Sequence, residues 1–198
     1  MMKKVLMLMI VILSMICLTG CGKSKEEIIS ESVKKIELTG DLVTYQAYYH
    51  NVIEYEKPVE KGITHVFEKE RKLFAEYTGT IKLGINLSKV KIEVKGSNIN
   101  VLIPKAKIIG EPNVDKDDFD SKNFIESKDS WINSNPITAD DSSKAFDQAQ
   151  EEMKKNASED EELLSKAQQR AKVVIEENII QLSGLNKKDL NINWEYEQ

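Results

Sequence analysis

Cysteine is scarce in this sequence of 198 residues, which contains only Cys17 and Cys21. From residue 22 onward the chain has no thiol, which excludes a disulfide framework, thiolate zinc sites and cysteine nucleophiles. Histidine is equally rare. We interpret His50 and His65, each alone in a strand-like stretch, as structural or solvent-exposed residues rather than metal ligands. The stability of the fold must then come from an apolar core.

Sequence motifs for catalysis are missing as well. No serine stands in the glycine-flanked turn of a hydrolase nucleophile, and no glycine-rich loop is placed to hold a phosphate. The acidic clusters at 151–152 and 159–162 fall on the surface of predicted helices, where water solvates them. We therefore expect no enzymatic activity, no catalytic residue, no metal and no cofactor. An enzyme whose site the sequence does not reveal is the alternative.

The N-terminus has the pattern of a secretion signal. Lys3 and Lys4 precede an apolar run over 5–18, whose fourteen residues would make a helix of about 21 Å, too short to cross a hydrocarbon core of about 30 Å. The order Leu18-Thr19-Gly20-Cys21 resembles a bacterial lipobox. That resemblance implies cleavage before Cys21 and a diacylglyceryl group on its sulfur. A plain signal peptide with a chance cysteine is the alternative.

The charge balance is acidic. Removal of residues 1–20, with their two lysines, takes the net charge from −5 to −7, which argues against nucleic acid as a partner. Lysines are nevertheless concentrated in one predicted sheet and just after it, at Lys82, Lys89, Lys91, Lys95, Lys105 and Lys107. They either contact anionic lipid headgroups or wall polymers, or they protect the sheet from edge pairing, and we favour protection.

The stretch 73–107 predicts a three-stranded antiparallel meander. Apolar residues alternate with polar ones in each of three runs, so that each strand has one apolar face. A two-residue turn at Gly96-Ser97 pairs Val94 with Ile99, and a tight connection at 87–88 sets the first strand beside the second. Pro104 should end the third strand, while Gly79 and Gly84 mark a bend or bulge in the first.

Further elements are expected on both sides of the meander. Their predicted positions are a helix at 26–36, a strand at 42–55 with a bulge near His50-Asn51, a short strand at 63–67 and a closing strand at 191–198. The tyrosines of the strand at 42–55 either bind sugars or peptides or form a structural rim, and we favour the rim.

The region 140–183 has helical periodicity, as one long bent helix or two consecutive helices. Ser158 and Glu161 are spaced as a capping box that would restart the helix, and Gly184 is placed to end it. We expect this helical region to cover the apolar face of the sheet. Before it lies an acidic run, which we interpret as a solvated loop with calcium binding as the alternative: Asp115, Asp117, Asp118 and Asp120.

A family resemblance rests on three features of the sequence. These are the glycine-spaced strand over 77–90, the element Ile103-Pro104-Lys105-Ala106-Lys107-Ile108 and the alanine-rich C-terminal helix. Together they resemble the bacterial family called domain of unknown function 4230, from about residue 42 onward. The resemblance supports the fold and supplies no catalytic or binding residue.

These observations lead to a defined expectation. Residues 1–20 are a lipoprotein signal peptide, 21–25 a lipidated Cys21 and tether, and 26–198 a single α+β domain in which the antiparallel meander packs on the C-terminal helix or helices. We expect a non-enzymatic binding or scaffold module, anchored by lipid on the extracytoplasmic face of a bacterial cell membrane, with a protein partner in the envelope. A small-ligand-binding lipoprotein or an envelope enzyme are the alternatives.

Overall fold

The computed structural model describes residues 23–36, 38–59, 61–65, 68–95, 98–126 and 135–197. The signal peptide, Cys21 and the turn at Gly96-Ser97 lie outside the described residues. Three helices are described: α1 (Lys25–Lys34), α2 (Ala139–Glu159) and α3 (Glu161–Ser183). The strands are β1 (Asp41–Lys57), β2 (Arg71–Asn86), β3 (Lys91–Lys95), β4 (Asn98–Ile103), β5 (Lys107–Ile108), β6 (Asn113–Val114), β7 (Ile125–Glu126) and β8 (Asn191–Tyr196). The α+β class is confirmed.

The larger sheet is built on one long antiparallel ribbon. β1 and β2 pair along their whole length, from Asp41 opposite Asn86 to Lys57 opposite Arg71. The short strands β5, β6 and β7 pair with the other side of β2. Among the described strands, β1 is therefore an edge strand of this sheet.

The smaller sheet has the order β3-β4-β8. β3 and β4 are antiparallel with Val94 opposite Ile99, which confirms the predicted register, and β4 ends just before Pro104 as expected. The C-terminal strand is also confirmed, and β8 runs parallel to β4. The predicted pairing of the first meander strand with the second is wrong, because β2 lies in the other sheet. β1 offers β2 a partner strand of 17 residues with one apolar face, whereas β3 has only five residues.

The helices begin and end at recognisable caps. Ser24 and Glu27 form a capping box that starts α1, and Gly184, with φ +66°, ends α3 in the left-handed conformation that glycine tolerates. α2 and α3 are two consecutive helices, one of the two predicted arrangements. The restart is not the predicted box, because the Ser158 hydroxyl donates back to Lys155 O while Asp160 accepts from the N–H of Leu163 at 3.0 Å.

Small side chains bring α2 and α3 close to the ribbon, so that the two helices cover its apolar face as expected. Five alanines of these helices are fully buried, namely Ala145, Ala149, Ala157, Ala167 and Ala171. The ribbon contributes its odd-numbered residues, among them Tyr77, which is packed in one cluster with Met153 of α2. A β-carbon built on Gly79 would lie 3.0 Å from Cε of Met153, which shows how little space separates helix and strand.

Two further local predictions need correction. The bulge in β1 falls between Val43 and Tyr45 rather than near His50-Asn51. It lies opposite Gly84, where an added β-carbon would be only 1.8 Å from Leu42 O. The register shift therefore coincides with a glycine, because a residue with a β-carbon could not come this close to β1. Ile63–His65 is a 3-10 turn and not a strand, and residues 66–67 lie outside the described part of the chain.

α2 and α3 run antiparallel to α1 and β1 along one axis. Five side-chain contacts follow in order along it, pairing Lys25 with Asp189, Ser32 with Leu182, Thr44 with Ala167, Glu54 with Gln148 and Lys57 with Asp141. α1 plus β1, and α2 plus α3, each give a contour length of about 65 Å. We call the end with the N-terminus of α1 the α1 end, and the end where β1 leads into β2 the hairpin end. Among the described residues no helix has the length and apolar character to cross a membrane.

Candidate functional site

A cavity of about 390 Å³ opens where the two sheets meet. It is lined by the end of β2, the link from β4 to β5 and the residue after β8, with side chains Asn86, Lys89, Pro104, Lys105, Lys107 and Glu197. The lining includes the proline-lysine element of the family resemblance. The site thus forms only when both sheets are in place.

A buried glutamine positions the proline-lysine element. Gln168 of α3 donates from Nε2 to Pro104 O at 3.0 Å, and its Oε1 accepts from the N–H of Ala106 at 2.5 Å. Its side chain is almost fully buried and these bonds satisfy both of its polar ends. Gln168 therefore fixes the backbone on both sides of Lys105, whose side chain stays in solvent. Gln168 stands next to Ala167, which belongs to the apolar stripe of the predicted helix. A polar residue in this position could have indicated a buried hydrogen-bonding role.

The electrostatics of the cavity favour an anion. Lys89 pairs with Glu197 at 3.3 Å and Lys107 with Asp41 at 3.8 Å, while Lys105 has no carboxylate within ion-pair distance among the described residues. These side chains are largely exposed, so solvent screens their charges. The arrangement can hold a small carboxylate or phosphate.

The second candidate site is the free edge of β1. Thr78 O accepts from the N–H of Asp115 and Lys82 O from that of Ile109, so the backbone groups of even-numbered β2 residues point toward β5 and β6. The odd-numbered residues of β2 then bond to β1, where they face odd-numbered partners such as Tyr49 opposite Gly79. Even-numbered residues of β1 must present their N–H and C=O groups at the free edge. Glu54 confirms this geometry, because its carbonyl accepts from Gln148 of α2 at 3.2 Å.

The open part of this edge has defined limits. Toward the α1 end it stops at the bulge, where the Thr44 hydroxyl donates to Ala167 O at 2.8 Å, and toward the hairpin end it stops at Glu54. Between them lies what we call the open window, made of four outward-bonding residues: Gln46, Tyr48, His50 and Val52. Within the described residues no other strand pairs with β1 here.

Comparison with known proteins decides the family. The model of the family described as "Protein of unknown function (DUF4230)" matches residues 34–192. The chain belongs to this family. The match runs from the last turn of α1 into β8, and it contains the open window and all of the cavity lining except Glu197. No curated protein and no solved structure matches the chain significantly.

The four lysines predicted as an anionic contact of this DUF4230 protein are divided between two different sheets and the turn that links them. Lys89 lines the cavity, whereas Lys82 lies on the outer face of β2 opposite Gln46. Lys91 and Lys95 are on β3, with Lys95 paired to Glu93 at 3.3 Å. The cause is the separation of β2 and β3 into two sheets, which the meander did not anticipate.

The tyrosines and histidines do not converge either. The side chain of Tyr48 is 80% exposed on the outer face of the ribbon, whereas Tyr55 is buried on the inner face and Tyr49 half-buried. Burial raises the pKa of both Tyr49 and Tyr55 above the ordinary value of a tyrosine. His50 is paired with Glu76 and His65 with Glu68, so each histidine is engaged locally.

The acidic run of this DUF4230 chain binds its own backbone. Asp118 accepts from both the N–H and the hydroxyl of Thr78, at 2.8 and 3.0 Å, and Asp115 accepts from the N–H of Asp117. In the part of the chain that the structure describes, no cluster of three potential ligands could hold a metal ion. The carboxylates therefore fasten the loop to β2 and stabilise its turns.

A buried ion pair at the hairpin end was not predicted. Lys57 Nζ donates to Asp141 Oδ2 at 2.7 Å and to Pro136 O at 2.6 Å, and Thr138 donates to the same carboxylate while capping α2. Burial would raise the pKa of the Asp141 carboxyl, but the hydrogen bonds from Lys57 and Thr138 outweigh it and leave that pKa below 3.8. Thr138 followed by Asp141 was visible as a helix start, whereas the lysine 84 residues away was not.

Proposed function

We propose that this chain is an extracytoplasmic lipoprotein, anchored through Cys21, that acts as a non-enzymatic binding or scaffold module. The open window of β1 is the observation that carries the binding role. An extended segment of a partner protein in the cell envelope would add to the sheet there through main-chain hydrogen bonds. The lipobox-like Leu18-Thr19-Gly20-Cys21 supports the anchor.

The open window suits strand addition for two reasons. Its backbone donors and acceptors are accessible, and unpaired edges of this kind are what partner strands recognise. Two large apolar side chains also stand on its outer face, Tyr48 at 80% and Val52 at 63% exposure. They would supply side-chain contacts and hence selectivity along the added strand.

Proline substitution tests the open window directly. Val52→Pro removes an N–H that points away from β2, so the ribbon keeps its hydrogen bonds while the free edge loses a donor. Val52→Ala is the matched control, because it removes the apolar side chain and keeps the donor. A photo-crosslinking residue in place of Tyr48 should form a partner adduct in cells that disappears with Val52→Pro and persists with Val52→Ala.

The two variants must be comparable in thermal unfolding for this comparison to apply. An adduct that survives Val52→Pro in a folded protein would contradict strand addition at the open window.

The anchor has its own test. Cys21→Ala removes the residue that would carry the acyl chains. Because stable attachment depends on these chains, the variant should leave the membrane fraction. Complete partitioning of Cys21→Ala with membranes would show that the lipoprotein proposal is wrong.

A small-ligand-binding lipoprotein is the second candidate function, and the cavity at Lys105 favours it. Its volume of about 390 Å³ lies within the range of about 300–1,000 Å³ typical of ligand pockets. Native mass spectrometry on residues 22–198 purified from the host would test it. A reproducible extra mass that Lys105→Ala removes would support an anionic ligand, and a bare chain would favour the scaffold.

A further inference from the structure

The tether between the anchor and the first helix is short. Three peptide steps join Cys21 to Ser24, the residue that caps α1, and they can span at most about 11 Å. Under the anchoring proposed above, the N-terminus of α1 must therefore lie within this distance of the lipidated cysteine, at the level of the phospholipid headgroups.

α1 is fixed to the rest of the molecule and cannot act as a swinging stalk. Ile29 is fully buried in the core of the smaller sheet, and the Ser32 hydroxyl donates to Leu182 O at 3.1 Å. Lys25 pairs with Asp189 at 3.0 Å, just before β8 begins. The position of α1 therefore determines the position of α3 and the smaller sheet.

The last residue of β3 and the first residues of β4 and β8 lie at the same end. The side chain of Asn191, the first residue of β8, donates to Asn98, the first residue of β4. Lys95 is opposite Asn98, and Val94 lines one surface groove together with Glu26. Lys95 of β3, Asn98 of β4 and the turn Lys187–Asp189 thus lie at the α1 end.

We infer that the α1 end is the membrane-facing surface, resting on the phospholipid headgroups through Lys95 at the end of β3 and the turn Lys187–Asp189. The inference depends on the proposed anchor at Cys21. Exposed lysines there suit phosphate groups: Lys95 (71% exposed), Lys187 (76%) and Lys188. Their acidic neighbours are Glu93, which is 66% exposed in its pair with Lys95 and exchanges at little cost, and Glu176, which is 20% exposed in its pair with Lys187. Glu26 and Glu27 in the first turn of α1 also lie at this end.

The hairpin end is then the part of the molecule farthest from the bilayer. The axis of about 65 Å starts at the α1 end, so the open window lies part-way along it and Ile63, 95% exposed in the hairpin connection, lies near its far end.

Energy transfer to the bilayer tests this orientation. The acylated Cys21 is the only cysteine after the signal, so Lys187→Cys, Tyr48→Cys and Ile63→Cys each give a single labelling site on the lipidated full-length protein. With vesicles of phosphatidylglycerol and phosphatidylcholine that contain an acceptor lipid, transfer should be strongest from position 187, intermediate from 48 and weakest from 63.

Flotation of the same vesicles separates the two proposals. If the protein floats and the three transfer efficiencies are equal or reversed, the orientation is wrong and the anchor stands. If the wild-type protein does not float, or floats equally well as Cys21→Ala, the anchor fails and the orientation fails with it.

Discussion

Lys57 and Asp141 tie the last residue of β1 to the first turn of α2 across 84 positions of sequence. Both side chains are removed from water, and Pro136 and Thr138 supply further hydrogen bonds to the pair. At the residue scale this buried pair holds the start of the helical layer to the hairpin end of the ribbon.

Removing one member of the pair should therefore be costly. Lys57→Met leaves a buried carboxylate without its cation and should lower the free energy of unfolding by about 3–5 kcal/mol in urea denaturation. Lys144→Met is the matched control, because it breaks the exposed pair with Asp140 one turn further along α2, which solvent screens, and it should lower the free energy of unfolding far less. Equal effects of the two variants would contradict this role.

The carboxylate of Asp141 makes the free energy of unfolding depend on pH. Its folded pKa lies below the ordinary 3.8, so its contribution is complete above that value and is lost as the pH falls through the folded pKa. The difference in unfolding free energy between the wild type and Asp141→Asn should be constant from pH 7 to 5 and shrink below about pH 4. A difference in unfolding free energy that grows as the pH falls would contradict this prediction.

At the scale of the element, the bulge in β1 and Gly84 in β2 form one feature. Gly84 faces Val43, and the chain leaves no room for a β-carbon against Leu42 O. The bulge also directs the Thr44 hydroxyl to Ala167 O, so the same irregularity connects the ribbon to α3 and closes one side of the open window.

A methyl group at this position should separate the two strands. Gly84→Ala is expected to lower the unfolding free energy by about 3 kcal/mol or more, since backbone must move. Gly79→Ala is the control, with an expected loss of about 1 kcal/mol, because its neighbours, the flexible end of Met153 at 3.0 Å and Asn113 O at 3.1 Å, need move by only a few tenths of an ångström. Thermal unfolding of both variants measures the difference, and a smaller loss for Gly84→Ala would contradict the account.

The elements that the sequence predicts correctly are those whose determinants are local. The β3–β4 register follows from alternation, the end of β4 from Pro104 and the end of α3 from Gly184. The partner of β2 and the parallel placement of β8 depend on residues far away in sequence, and alternation shows only which face is apolar. The meander prediction was wrong because it paired β2 with the next strand in the sequence, β3, which lies in the other sheet.

The candidate sites also differ in whether local or distant residues determine them. Lys89, Lys105 and Lys107 were recognised, but the cavity that unites them needs two sheets and Gln168 from α3. The open window was not predicted, because a strand becomes an edge only through the global order of the sheet. No periodicity in residues 42–55 distinguishes an edge strand from a central one.

At the scale of the whole molecule, the ordered contacts along one axis predict an elongated particle. A compact protein of this length has a radius of gyration of about 16 Å. A rod with an axis of about 65 Å should have about 19 Å or more. Small-angle scattering on residues 22–198 as a monomer measures this value, and about 16 Å would show that the two helices do not lie in line.

The α1 end also joins the beginning of the described chain to its end. α1 is held by the carbonyl of Leu182, and β8 pairs with a strand 93 residues before it. Contacts so distant in sequence form late, because the intervening chain must first be ordered. Under the export proposed above, the chain crosses the membrane with its N-terminus first, so α1 arrives before the elements that hold it and is fixed in place only when α3 and β8 have followed.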